Sequence, residues 1–185
     1  MNFFQLRYDD SIADSWEIAA EWLNEDGSWK DVWSFSRGEY LLNPPILSFA
    51  IRKHGRVMDW NFCNFNIVVV SKRLAETLCV LAPSEIQLVP CQVRTDDEFF
   101  ILNILNCVDC LSYERSSIDY GIPGPTVNQI PRGVRNLVVD PVKIGSHQIL
   151  RVANWTVAII LSEYVFRTIE GEGITGAYYV RVSGS

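Results

Sequence analysis

Little in this chain suits covalent chemistry. It has two histidines, His54 and His147, and neither adjoins a nucleophile motif such as GxSxG, so no Ser–His or Cys–His pair is legible. No Walker loop is present, and no GxGxxG follows a strand. Gly171-Glu172-Gly173 comes after a helical pattern, which makes it a C-terminal stop and not a phosphate cradle. Long apolar runs are missing too: none approaches the ~20 residues needed to cross a bilayer. The opening MNFFQLRYDD lacks the basic-then-apolar order of a secretory signal. These absences argue against a catalyst and against a membrane protein, and the expected location is the cytoplasm.

Cysteines are few and odd in number: Cys63, Cys79, Cys91, Cys107 and Cys110. An odd set without framework spacing is expected to be buried and reduced. Cys107-Val-Asp-Cys110 has the spacing of a metal or redox pair, but it lies in the apolar run FFILNILNCVDCL. On a strand, positions three apart face opposite ways, so these thiols do not converge on one ion. No metal or cofactor is expected.

Charge of one sign is also scarce where it would matter for nucleic acid. The net charge is −6, and residues 1–43 account for it all, with nine acids (Asp9, Asp10, Asp14, Glu17, Glu21, Glu25, Asp26, Asp31, Glu39) against Arg7, Lys30 and Arg37. The remainder holds thirteen of each sign. With no basic patch to neutralise phosphates, direct nucleic-acid binding is disfavoured, and a basic protein partner fits better.

What the chain does have is apolar material, 48% of its 185 residues, enough for a sizeable core. It is organised around Asn66–Arg94. Ile67–Val70 reads as a strand, Ser71 as a helix cap, Leu74, Leu78 and Leu81 as a helix face, and the run from Ile86 as a second strand. Thr156–Val182 repeats the plan: Val157, Ile159 and Ile160, then Ser162, then Val165 and Ile169, then Ala177–Val182. The expectation is an internal duplication, about 57–94 and 149–182, within an α+β domain spanning 44–185. The sheet is expected to be mixed or antiparallel, with a few short helices.

Residues 1–43 form an acidic, tryptophan-rich leading segment that ends at Asn43-Pro44-Pro45. Asn2–Tyr8 alternates weakly as a strand, Ala13–Leu23 reads as a short helix, and Asp26-Gly27 as a turn. Trp16, Trp22, Trp29 and Trp33 either plug one end of the core or stay exposed as interface anchors. Further on, Ile46–Ile51 and Val57–Phe62 read as strands around a Lys53–Arg56 turn, with Asp59-Trp60 as a surface pair. Thr95–Glu98 reads as a hairpin loop and Phe99–Leu111 as one long strand buried on both faces. Ser112–Arg132, rich in glycine and proline, is the main irregular insertion.

The runs IVVVSKRLAETLCVLAPSEIQLVPCQV, FFILNILNCVDCLS and LVVDPVKIGSHQILRVANWTVAIILSEYVFRTIEGEGITGAYYV together resemble the bacterial immunity protein family eleven of polymorphic toxin systems. The resemblance spans about residues 40–182 and is loose over the acidic segment. It implies a protein encoded beside a secreted toxin, commonly a nuclease-like one, which binds and blocks that toxin in the producing cell. It carries no catalytic residues over. Combined with the charge distribution, it makes Asp9, Asp10, Asp14, Glu17, Glu21, Glu25, Asp26 and Asp31 the candidates for steering a basic toxin surface, with Trp16, Trp22, Trp29 and Trp33 as candidate anchors. The alternatives are a small enzyme built around His54 or His147, or a scaffold with a self-complementary apolar face.

Overall fold

The computed structural model describes residues 2–120 and 131–182. The middle of the 112–132 insertion and the 183–185 tail therefore lie outside the described residues. The architecture is α+β, with two sheets sharing a helical core. The chain begins with β1 (Phe3–Tyr8), β2 (Glu17–Glu21), β3 (Ser48–Lys53), β4 (Trp60–Phe62) and β5 (Val68–Ser71). Helix α1 (Lys72–Leu81) leads to β6 (Ile86–Val93), β7 (Phe99–Ile104) and the short β8 (Cys107–Val108). A ribbon of β9 (Ser117–Asp119) and β10 (Gly133–Arg135) precedes α2 (Pro141–Ile144). The chain then runs through β11 (Ile149–Val152), β12 (Ile159–Ser162), α3 (Glu163–Gly171) and β13 (Ala177–Arg181). Six strands form one sheet in the order β2-β3-β6-β7-β5-β4, and five form the other, β13-β1-β12-β11-β8.

The two strand–helix–strand units are wired alike. Ser71 and Ser162 share the same backbone angles, φ −65° and ψ 160°, and each hydroxyl accepts the amide three residues on, from Leu74 and Val165. Capping an orphan amide in this way fixes where strand turns into helix. The offset that carries Ser71 onto Ser162 also carries Ile86 onto Ala177, so β6 and β13 begin in register. In the first unit β7 lies between β5 and β6, with Ser71 opposite Phe99. In the second unit that place is taken by β1, with Ser162 opposite Phe3. The strands that match in this way begin Phe99-Phe100-Ile101-Leu102 and Phe3-Phe4-Gln5-Leu6. Even the entry bonds correspond, the Lys72 amide to Glu98 O at 3.1 Å and the Glu163 amide to Asn2 O at 3.1 Å.

Alternation on the central strands explains their unbroken apolar runs. Val68 and Val70 on β5, and Ile159 and Leu161 on β12, face a shared core with Leu74 and Leu78 of α1 and Val165 and Ile169 of α3. Ile67 and Val69 face a second core with Trp16, Ile18, Phe35 and Phe49. Ile160 faces a third, with Phe3, Leu150 and Val152. Each sheet is thus apolar on both sides, and strands that show no period-two signal are the ones buried twice.

Several sequence expectations change. The 13–23 stretch is not helical: Glu17–Glu21 is strand β2, paired with β3, because Ile18 and Ala20 are buried while Glu17 and Glu21 are exposed, a period of two and not 3.6. The 99–111 run is not one strand. It leaves the first sheet after Ile104 and re-enters as β8 in the second, where Cys107 pairs with Arg151. The turn is made by Asn106, whose side chain donates to Glu85 and to Ile149 O. The thiols are not uniformly buried: Cys110 is, but Cys79 and Cys107 are exposed. Burial pushes the Cys91 thiol up to about 12 and the Cys110 thiol up to about 11.

Asp59-Trp60 is no surface pair either. Both residues are buried, at the joint between the units. Asp59 Oδ2 accepts from the Thr175 amide and hydroxyl at 2.9 Å each and from Arg73 at 2.6 Å, and Oδ1 accepts from Ser71 at 2.7 Å. Burial disfavours the ionised carboxyl, but the bonds from Arg73, Ser71 and Thr175 together outweigh it and hold its pKa below the ordinary 3.8. A depressed carboxyl stabilises the fold at pH above its unfolded value, and that stability is lost as pH falls through the folded value. Asp59→Asn is therefore expected to cost about 2 kcal/mol at neutral pH. Denaturant melts of the two proteins should converge below the ordinary carboxyl range. A deficit that persists undiminished in acid would show that charge is not what the joint uses.

Candidate functional site

The six-stranded sheet curls until its edge strands β2 and β4 face each other, and side chains close it in place of strand pairing. The Ala20 amide donates to Asn64 Oδ1 at 2.8 Å, and Trp16 Nε1 donates to Asn61 Oδ1 at 2.5 Å. A cleft of about 450 Å³ remains there, bounded by Tyr8, Glu17, Arg52 and Phe62. Trp16, which also lines this cleft, is only 4% exposed and packs in the core. The other three tryptophans of the leading segment lie elsewhere.

Beyond β2, Leu23 and Trp29 form an antiparallel bridge, and the tip between them turns at Gly27, φ 80°. This hairpin folds Trp29 back against Trp22, ring centroids 4.5 Å apart. Phe65 meets Trp22 at 5.9 Å and 73°, and Trp33 at 5.3 Å and 84°, both edge to face. Such geometry suits the ring quadrupoles. Trp29 is 69% and Trp33 49% exposed, which leaves large apolar area in water.

Phe65 is presented from a strained turn. Its φ is 60° and that of Asn66 is 59°, the left-handed region that glycine favours, at a cost of about 1–3 kcal/mol for Phe65 and less for Asn66, since asparagine adopts it readily. Two cross-links hold the turn: Asn64 to Ala20 on β2, and Asn66 O accepting from Arg151 Nη2 at 3.0 Å. Arg151 is fully buried. Its Nη1 donates to Thr156 O at 2.6 Å, and its Nε has no partner among the described residues. Burial lowers the guanidinium pKa to about 10. A buried cation bonded among the described residues to carbonyls alone is expensive, and it ties two turns together, the left-handed Phe65-Asn66 turn and the 152–158 turn in which Asn154 is also left-handed. Neither Phe65 nor Arg151 was among the sequence candidates. No local signal marks them, because Phe65 sits in a three-residue 3-10 turn and Arg151 lies within an apolar strand.

The acids do not form one block. Asp14 lies 3.8 Å from Arg56, Glu17 3.8 Å from Lys53 and Glu21 4.0 Å from Arg94, so bases beyond residue 43 offset part of the surplus. Asp31 is engaged by Arg37 through two bonds of 2.9 and 3.1 Å. Asp9 accepts from Ser11, and Asp10 is exposed nearby. Glu25 and Asp26 stand at the hairpin tip, with Asp26 taking bonds from the Ser28 hydroxyl and amide, which hold its carboxyl below the usual range. The structure thus separates a group of Asp9, Asp10, Asp14 and Glu17 from a group of Glu21, Glu25, Asp26 and Asp31 that shares the hairpin with Trp22 and Trp29.

The two histidines lie in separate connections of the chain. His54 is exposed in the β3–β4 connection. His147 Nδ1 lies 3.8 Å from Glu85, whose oxygens accept from the Gln148 and Ile149 amides and from Asn106. Among the described residues no three His, Cys, Asp or Glu side chains converge as metal ligands, and no helix is long and apolar enough to cross a membrane.

A family model described as an immunity protein family (Imm11) matches residues 5–183. The match runs through the acidic segment over which the sequence resemblance was loose. No curated protein matches the chain.

Proposed function

The chain belongs to the immunity protein family Imm11, and from that premise we propose that it neutralises one cognate toxin, a basic nuclease-type domain, by stoichiometric binding in the cytoplasm of the producing cell. The exposed aromatic hairpin with Glu25 and Asp26 at its tip carries this reading. An inhibitor that competes with a polyanion needs negative charge to steer encounter and apolar rings to hold the complex. Binding that covers a surface needs no turnover, so protection is expected to require equimolar protein. The two strand–helix–strand units are in the same spirit read as related copies, supported by their shared cap geometry and register.

Co-expression with the toxin encoded beside it, scored for survival and co-purification, tests the assignment. Reversing Glu21, Glu25 and Asp26 to Lys is expected to slow association by about tenfold at low salt and to flatten its salt dependence. Stopped-flow binding at two ionic strengths measures both. An unchanged association rate would remove the acidic hairpin from the interface.

A further inference from the structure

Resting on the toxin-binding reading, we propose that Trp29, Trp33 and Phe65 form a preorganised seat for an arginine side chain of the partner, with Glu25 and Asp26 as its counter-charges and Arg151 as the positioning residue beneath it. Three independent observations meet at this place. Two indoles, 69% and 49% exposed, are left in water although Trp22 and Phe65 already pack against them. The Phe65-Asn66 turn adopts left-handed angles without glycine. A fully buried guanidinium, with no carboxylate contact among the described residues, divides its donors between the carbonyl of that turn and Thr156 O. Asparagine takes the left-handed region readily, as Asn136 and Asn154 also do here, so the strained residue is the ring-bearing Phe65.

Chemistry selects the occupant. A purely apolar side chain would be seated equally well without acids, yet the hairpin tip presents Glu25 and Asp26 within four residues of Trp29, and no salt bridge to a base engages either among the described residues. An aromatic surface that shares its hairpin with carboxylates matches a planar, weakly hydrated guanidinium, which stacks on a ring while donating in its own plane. A lysine ammonium is compact and strongly hydrated, so it gains less from the ring. The seat also fits the partner's charge, because a surface that binds nucleic acid is rich in lysine and arginine.

The test uses the full chain and the toxin domain encoded beside it, with Kd and thermal unfolding measured together. Trp29→Ala and Trp33→Ala are each expected to weaken binding by about 10- to 100-fold with only a small fall in melting temperature from the lost ring contacts, and Trp29→Phe should keep most of the affinity. On the toxin, one interfacial Arg→Lys change should cost about tenfold against the wild type and nothing further against the Trp29→Ala/Trp33→Ala double variant. Arg151→Met should shift tryptophan fluorescence and weaken binding, and Arg151→Lys, which keeps a cation near the Asn66 and Thr156 carbonyls, should recover part of both. If the wild type captures the toxin and the double variant binds as tightly, the seat is wrong while the immunity reading stands. If the wild type does not bind the toxin at all, the reading beneath it fails. Concentration-dependent self-association abolished by Trp29→Ala would make the patch a contact between copies and overturn the proposal.

Discussion

Gly176→Ala is expected to remove about 3–5 kcal/mol of stability, against about 1 kcal/mol for Gly173→Ala. Both glycines have positive φ, 95° and 65°, so both substitutions carry a backbone penalty. Only Gly176 adds a collision: a Cβ there would lie 2.4 Å from Trp60 O and 2.9 Å from the Met58 side chain, whereas Gly173 has nothing within 4 Å. The clash falls on the joint between the units, where the Trp60 amide donates to Thr175 O at 3.0 Å and Thr175 bonds Asp59. Separating these segments exposes Trp60 and strands the Asp59 carboxyl. Out of a total of about 5–15 kcal/mol, such a loss is a large share. Chemical denaturation of the two variants side by side measures it. Equal losses at both positions would mean that the units do not depend on this close approach.

The joint was invisible in the sequence for a physical reason. Asp59 and Trp60 flank a short apolar run, which reads as a surface pair until Thr175, more than a hundred residues on, supplies the donors. The units themselves were legible because their signals are local: a β-branched run, a serine whose hydroxyl caps the next turn, and leucines at helical spacing. Helix α1 starts at Lys72 directly after Ser71, and α3 at Glu163 directly after Ser162. The leading segment was misread where local and tertiary signals diverged. Glu17-Ile18-Ala19-Ala20-Glu21 has good helix formers at every position but Ile18, and pairing with β3 overrides that preference.

The candidate site shows the same division. The acidic surplus and the four tryptophans stood out by composition, and Trp22, Trp29 and Trp33 do share one aromatic cluster through Phe65. Composition did not show that Trp16 is sealed inside by Asn61, nor that Asp14, Glu17 and Glu21 find bases on later strands and loops. Charge counted along a chain overstates the field at a surface whenever other segments fold back over it. Of the candidate acids, Asp9, Asp10, Glu25 and Asp26 pair with no base among the described residues, a smaller and divided set than residues 1–43 suggest.

Removing β1 by deleting residues 1–8 is expected to abolish cooperative folding of the five-stranded sheet, and this follows from where the strand sits. It lies between β12 and β13, so its loss detaches β13, takes Phe3 from one core and Leu6 from another, and leaves central strand edges bare. The correspondence between the units adds a sharper expectation. In the first unit, β6 reaches β7 through the 92–98 segment, with Cys91 opposite Phe99. In the second, the Val182 amide bonds Phe3 O at 2.9 Å, the same relation without a covalent link. A chain lacking residues 1–8 but carrying Phe3–Tyr8 after Val182, joined through a copy of residues 92–98, should therefore regain native near-ultraviolet dichroism and a single unfolding transition. Failure of this permuted chain alongside failure of the deletion would sink the equivalence of β1 and β7. Survival of the deletion with an unchanged melting temperature would show that β1 is dispensable to the sheet.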